Sequence, residues 1–348
     1  MKGPTPSADR AQRLESAIEG FWDKRVLVVA DLVADEYLYG RVRRVSREAP
    51  VLILQYEGSD LRLGGGANAA HNIRTLGALP VPVAVLGQDA HGKRLKTLLR
   101  EREIPTSSVF TDADYATPVK TRVLAGNVHT TRQQVVRIDR VAPLGERSSA
   151  RQSALRAIQG FRGELDAVLV SDYGLGLVTP ELVEAALRLA RSRRVPITID
   201  SRYDLLRYRG MTAVTPNEPE VEAALGVSIG HDRQRLEAAG RRLLRKLETK
   251  AVLITRGSHG MALFEAGRPP LHIPIHGGDE VADVTGAGDT VIATFTLALA
   301  AGAGYSDAAQ LANYAGGVVV MKRGTATVSA VELREAVKAS LAAAPAAR

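Results

Sequence analysis

The chain has 348 residues, 45% hydrophobic and 24% charged, which supports one large α/β domain or two ordinary lobes and excludes a disordered chain. With no cysteine, disulfide frameworks, thiolate metal sites and cysteine nucleophiles are excluded, and a reducing compartment fits. The formal charge is +8, but aromatic residues are only 4% and no nucleic-acid motif accompanies the arginine clusters, so phosphorylated small molecules are the expected partners and nucleic acid is not.

Residues 1–25 read as a polar, helical N-terminal arm without the apolar core of a secretory signal. The weakly polar run Val291 to Gly302 is too short to span a bilayer, so the expectation is a soluble, cytoplasmic protein with no membrane partner. From residue 26 to about 340, short β-branched runs alternate with amphipathic stretches. Val26 to Ala30 predicts a buried strand, Ala67 to Leu76 a helix, Val81 to Leu86 a strand, and Ala90 to Arg102 a helix. Ala167 to Ser171 predicts the next strand, and Thr179-Pro180-Glu181 opens a helix to about Arg194, with a hydroxyl cap and proline at the first helical position. Val195 to Asp200 and Val252 to Thr255 predict further strands; Asp289 to Ala301 and Asp307 to Met321 predict long buried helices. Such alternation implies a mostly parallel sheet flanked by helices on both faces. Tyr37 to Gln55 and Val119 to Ile138 instead alternate with period two, predicting an inserted small β-sheet, a lid over a cleft, with strands at about 37–57 and 118–139. Residues 341–348 form an Ala-rich tail.

Three glycine-rich segments could aim backbone N–H groups at an anion. Gly87 to Lys93 approximates a P-loop, but Arg94 stands where the magnesium-binding hydroxyl belongs and Asp89 intrudes on the cradle. Gly64-Gly65-Gly66-Ala67-Asn68-Ala69 resembles a dinucleotide fingerprint, yet the residues before it are not a buried parallel strand. A close glycine approach to a polar ligand beside the Asn68 amide is the other use of such a segment. Asp283-Val284-Thr285-Gly286-Ala287-Gly288-Asp289 is the strongest: the turn can aim N–H groups at developing phosphate charge, and Asp289 sits where it can accept a hydroxyl proton.

That last segment resembles the C-terminal signature of the ribokinase-like (PfkB) carbohydrate kinases. Gly64-Gly65-x-x-Asn68 is similar to their substrate signature, and Asn217-Glu218-x-Glu220 to their magnesium motif, in the family's order. Asp31-x-x-x-Asp35-x-Tyr37, Ser46-x-Glu48-Ala49-Pro50, Arg132-Gln133-Gln134, Ser171-Asp172-Tyr173 and Thr325-x-Thr327 further resemble heptose-7-phosphate kinases. Departures are Ala30 in place of glycine, Leu175 in place of a frequent lysine, Asp200-Ser201-Arg202 in place of Asp-Pro-Lys, and a longer segment at Gly126 to Thr131. Neither a His-x-Gly-His motif nor a second α/β unit follows, so a kinase domain without a fused adenylyltransferase is expected.

The resemblance implies an ATP- and Mg2+-dependent kinase acting on C1 of D-glycero-β-D-manno-heptose 7-phosphate, for ADP-heptose and lipopolysaccharide synthesis. In it Asp289 is the base, and Gly286, Ala287 and Gly288 form the anion hole. Asp35, Gly64, Gly65 and Asn68 would grip sugar hydroxyls, and Arg122, Arg132 and Arg202 a distal phosphate. Asn217 and Glu220 would hold magnesium through water, with Thr255, Arg256, Gly257, Ser258, Gly260 and Asn313 lining the nucleotide. Asp283 and Thr285 would hold a monovalent cation, K+ by analogy, and the lid strands would make a homodimer. The competing readings are a kinase of another sugar or sugar phosphate and a catalytically silent binding regulator.

Overall fold

The computed structural model describes residues 6–126, 132–277 and 282–343. In chain order these form α1 (Pro6–Glu19), β1 (Arg25–Ala30), β2 (Leu32–Val45), β3 (Leu52–Gly65), α2 (Gly66–Thr75), β4 (Leu79–Gly87), α3 (Ala90–Glu101), β5 (Val109–Asp112), β6 (Val119–Gly126), β7 (Gln133–Arg140), α4 (Ser149–Gln159) and β8 (Ala167–Asp172). There follow α5 (Pro180–Arg193), β9 (Ile197–Ser201), β10 (Ala213–Val214), α6 (Glu218–Leu225), α7 (Arg233–Lys246), β11 (Ala251–Thr255), β12 (Met261–Glu265), β13 (Leu271–Ile273), α8 (Ala287–Ala300), α9 (Tyr305–Val320) and α10 (Ala330–Ala343).

The larger sheet has the order β13-β12-β11-β10-β9-β8-β1-β4-β5, parallel except at β12 and β13. Its central strands β1 and β8 are apolar and buried nearly throughout, because helices cover both faces. Helix α8 packs on both α2 and α9, α4 packs on α5, and both groups reach β8 or β4. Local chemistry fixes the ends: Thr179 caps α5 ahead of Pro180, and Asp89 caps α3 by accepting from Gly92 N–H. Asp89 also accepts from Thr117 N–H, so the P-loop-like segment is a helix cap.

The small sheet has the order β3-β2-β6-β7. Its strands start nearer the core than the alternation alone marks: β2 begins at Leu32, with only Asp31 between it and the end of β1, and β3 runs through Gly64 and Gly65 into α2. The glycine segment is therefore the root of an antiparallel lid strand, which is why no parallel strand precedes it. α1 buries Leu14 and Ile18 against the body of the protein, so most of the expected N-terminal arm is built into the domain. The longer segment at Gly126 to Thr131 lies, beyond Gly126, outside the described residues, as does the tail after residue 343. No described helix is long and apolar enough to cross a membrane.

Candidate active site

The parallel strands β1, β8, β9, β10 and β11 end on one edge, where crossover loops leave open backbone and side-chain groups. At that edge Gly286, with φ 78°, caps α8 in the left-handed region that only glycine adopts cheaply. A Cβ there would lie 2.6 Å from Asn68 Nδ2. Asp289 follows in the first turn, where the helix dipole favours a carboxylate.

Asp289 is buried and held at both oxygens: Tyr173 O–H donates to Oδ1 at 2.8 Å and Asn68 Nδ2 to Oδ2 at 3.1 Å. Burial raises its carboxyl to about 7, against the lowering effect of the Tyr173 and Asn68 hydrogen bonds. That is the range in which a general base works best at neutral pH. In the anion turn, Ala287 N–H is already taken by the Val284 carbonyl at 3.3 Å. Gly286 and Gly288 N–H meet no acceptor among the described residues, and the space beside Gly288 is open. The expected three-donor hole is thus two donors in this structure.

Asp35 on β2 is buried beneath the lid. It accepts from Arg122 Nη1 at 2.6 Å and from Thr325 Oγ1 at 2.7 Å. Thr325 is held in turn by Tyr37: its backbone N–H donates to the phenol oxygen at 2.8 Å. Gly64 is required for this cluster, because a Cβ there would lie 2.6 Å from the Asp35 carboxylate. Gly65, with φ 55°, turns the chain into α2 and so aims Asn68 at Asp289. Arg122 is therefore a buried ion-pair partner, not an unengaged phosphate ligand. Arg132 pairs with Glu57 at 2.7 Å and leans over the Tyr39 ring, on the rim of a cavity of about 840 Å³ that Tyr37, Arg62, Asp283, Thr285 and Gly324 also line. Arg202 is exposed, its guanidinium 5.9 Å from the Tyr173 ring centre.

Asn217 and Glu220 form a reciprocal capping box at α6: Glu220 N–H donates to Asn217 Oδ1 and Asn217 N–H to Glu220 Oε2, both at 2.9 Å. The spacing thus has a structural use, and one Glu220 oxygen remains. Asp200, which the sequence reading left out, accepts no hydrogen bond among the described residues. Burial and then Glu220 push its carboxyl well above the ordinary range. Two mutually repelling carboxylates with unused oxygens suit a hard divalent cation. Thr255 bridges to Asn217, which brings these two nucleotide candidates together. The 257–260 turn follows, with Gly257 and Gly260 at positive φ and Ser258 exposed. Arg256 is spent on Glu218 at 2.6 Å, tying the strand end to α6. Asn313 is buried on α9 and donates to the Pro274 carbonyl at 2.9 Å. Asp283 accepts from Thr285 N–H at 2.9 Å and Gly324 N–H at 3.0 Å, locking the turn to the loop that carries Thr325.

Beside this geometry stands a match to the pfkB family of carbohydrate kinases over residues 25–332. The chain belongs to that family. As a pfkB kinase it is a phosphotransferase with a sugar hydroxyl as acceptor. It is 41% identical to the Bifunctional protein HldE of Citrifermentans bemidjiense over 323 residues, 92% of this chain and 65% of that protein. The HldE protein of Geobacter metallireducens is 42% identical over 325 residues, 92% of this chain and 64% of its own length. The chain thus spans a little under two-thirds of these curated relatives. Among solved structures, Arabidopsis thaliana ribokinase complexed with ribose and ATP superposes with a TM-score of 0.67 at 21% identity, covering 92% of this chain and 99% of that one. Phosphofructokinase-2 of Escherichia coli in complex with potassium gives 0.72 at 18% identity, with the same coverage. These likenesses show the ribokinase-like fold.

The sequence reading missed Tyr173, Thr325 and Asn72 as parts of the site. Asn72 Oδ1 accepts from Thr290 Oγ1 at 3.1 Å and Val328 N–H at 3.3 Å, joining α2, α8 and the C-terminal loop. Signals were available for Tyr173 in the Ser-Asp-Tyr motif and for Thr325 in the Thr-x-Thr motif, though neither was assigned a role; Asn72 has no local signature.

Proposed function

We propose that this pfkB kinase transfers the terminal phosphoryl group of ATP to the C1 hydroxyl of D-glycero-β-D-manno-heptose 7-phosphate. The observation that carries the chemistry is the buried Asp289 carboxylate, held by Tyr173 and Asn68 at the start of α8 beside the open Gly288 N–H. The heptose assignment is supported by the Ser46 to Pro50, Arg132 to Gln134 and Ser171 to Tyr173 motifs and by the identity to HldE proteins.

In this reading Asp35 and Asn68 orient the sugar so that its reacting hydroxyl faces Asp289. The carboxylate takes the hydroxyl proton as the new O–P bond forms, the bridging O–P bond of ATP breaks, and ADP leaves. Gly286 and Gly288 N–H groups hold the phosphoryl oxygens, and helix α8 directs its positive end at them. Asp200, Glu220 and Asn217 would hold magnesium, which when bound neutralises nucleotide phosphate charge. Asp283 and Thr285 would bind a monovalent cation, and Thr255, Gly257 and Ser258 would border the nucleotide. The protein would work in the cytoplasm as a homodimer closed through the lid sheet, whose strand β7 is exposed along its whole length.

The test is coupled ADP release with magnesium-ATP against heptose 7-phosphate, ribose, fructose 1-phosphate and fructose 6-phosphate. A preference of at least tenfold in kcat/KM for the heptose is expected. Preference for another acceptor discards the heptose assignment and keeps the kinase; ATP binding without turnover on any of them favours the silent regulator.

A further inference from the structure

The cationic side chains around the lid face are of two kinds. Arg122, Arg62, Arg132 and Arg137 each meet a carboxylate, respectively Asp35, Asp60, Glu57 and Asp139, at 2.6 to 2.9 Å. Lys120 and Arg202 have no ion-pair or hydrogen-bond partner for their side chains among the described residues. Yet both converge on one ring. Lys120 Nζ lies 5.0 Å from the Tyr173 ring centre and the Arg202 guanidinium carbon 5.9 Å from it.

They reach it from different parts of the fold. Lys120 stands on lid strand β6, in register with Asp35, while Arg202 follows β9, two residues after Asp200. Lys120 is half-buried, and its ammonium is depressed below the ordinary lysine range by burial and then by Arg202. Two like charges at one partly buried place repel each other, and the carboxylates near them, Asp35, Asp139 and Asp289 for Lys120 and Asp200 and Glu220 for Arg202, make no ion pair with either side chain among the described residues. Such a pair is stabilised when a ligand brings negative charge into direct contact with both. The ring beneath them is fixed, because its hydroxyl donates to Asp289. An anion bound to both cations therefore lies beside the ring whose hydroxyl anchors the base.

We propose that Lys120 and Arg202 are the two jaws of a phosphate seat over Tyr173, one from the lid and one from the core, taking a phosphate dianion. This rests on the kinase reading, and the dianion has two chemical sources: a phosphate already on the acceptor or the terminal phosphate of the nucleotide. In either case the lid supplies half of the charge, so the seat is complete only when β6 stands over the core as it does here.

The experiment uses the full chain and the variants Lys120→Met, Lys120→Arg and Arg202→Met. Calorimetric titration with inorganic phosphate, which needs no turnover, is expected to weaken about 10- to 100-fold in the two methionine variants. It should stay within threefold of wild type in Lys120→Arg. Steady-state kinetics then assign the source. A KM raised only for phosphorylated acceptors, not for ATP or the unphosphorylated sugar, places the acceptor's phosphate in the seat. A raised KM for ATP, or an equal loss of kcat/KM with both kinds of acceptor, places the nucleotide's phosphate there. Phosphate affinity and all kinetic constants within threefold of wild type in both methionine variants overturn the seat. Absence of wild-type turnover with every acceptor would count against the kinase reading alone, since the phosphate titration still decides on Lys120 and Arg202.

Discussion

Replacing Gly64 by alanine is a one-carbon test of how the acceptor is gripped. The new Cβ would stand 2.6 Å from the Asp35 carboxylate, where ordinary contact begins at 3.4 Å, so the carboxylate must retreat by about 0.8 Å. Its bonds to Arg122 at 2.6 Å and Thr325 at 2.7 Å would then stretch to about 3.4 Å and 3.5 Å, past useful hydrogen-bond length. Each charge-assisted bond is worth about 1.5–3 kcal/mol, so losing the equivalent of one predicts an acceptor KM raised about 10- to 100-fold. The KM for ATP should stay within twofold, because Gly64 belongs to the lid. Coupled ADP release with the acceptor varied at saturating magnesium-ATP measures both. Gly145→Ala, where an added Cβ meets nothing within 4 Å, is the control. An acceptor KM within twofold of wild type, or a rise confined to ATP, would refute the assignment of Asp35 to the acceptor.

Asp289→Asn should lower turnover about 10²- to 10⁴-fold with nucleotide affinity kept, and calorimetric ATP binding separates the two. Because burial raises Asp289 to about 7 and the base must be ionised, wild-type kcat/KM should fall as pH drops through about 7, whereas an ordinary carboxylate would hold activity down to about 4. Asp31 accepts N–H bonds from Tyr173, Leu175 and Leu177 at 3.0 to 3.3 Å; Asp31→Asn sets an NH2 group against one of these donors and should lower stability by about 1–3 kcal/mol in urea unfolding. Val136 and Ile138 are 47% and 51% exposed on β7, so a lid-mediated dimer should become monomeric in Val136→Lys by light scattering; a wild type already monomeric at the same concentration would remove the dimer reading.

The buried strands were readable because a strand covered on both faces needs an unbroken apolar run, as in Val26 to Ala30 and Ala167 to Val170. The Asp283 to Asp289 segment was readable because its turn and base are contiguous. Arg122 was not: its guanidinium looks like a phosphate fork until the parallel pairing of β2 and β6 sets Asp35, 87 residues earlier, against it. Tyr173 and Thr325 likewise acquire roles only when distant segments close. The Asn217 and Glu220 spacing serves helix capping and metal binding equally well, so sequence alone cannot apportion it.

Where β2 and β3 join the core the chain has no slack. Only Asp31 separates β1 from β2, and β3 passes into α2 at the Gly65–Gly66 bond, with Gly66 N–H donating to Asp31 C=O at 3.0 Å. Strand side chains alternate between faces, so inserting or deleting one residue between Ala30 and Asp35 would reverse every later side chain of β2 and turn Asp35 and Tyr37 outward. The far end of the same two strands is not tied to the core in this way: the hairpin tip between Val45 and Leu52 is largely exposed, and its hydrogen bonds, Glu48 N–H to Ser46 Oγ and Ser46 N–H to Val51 C=O, stay within the tip. Homologous chains should therefore keep an invariant residue count between the end of β1 and Asp35, and a tag or binding loop engineered there would dismantle the acceptor site.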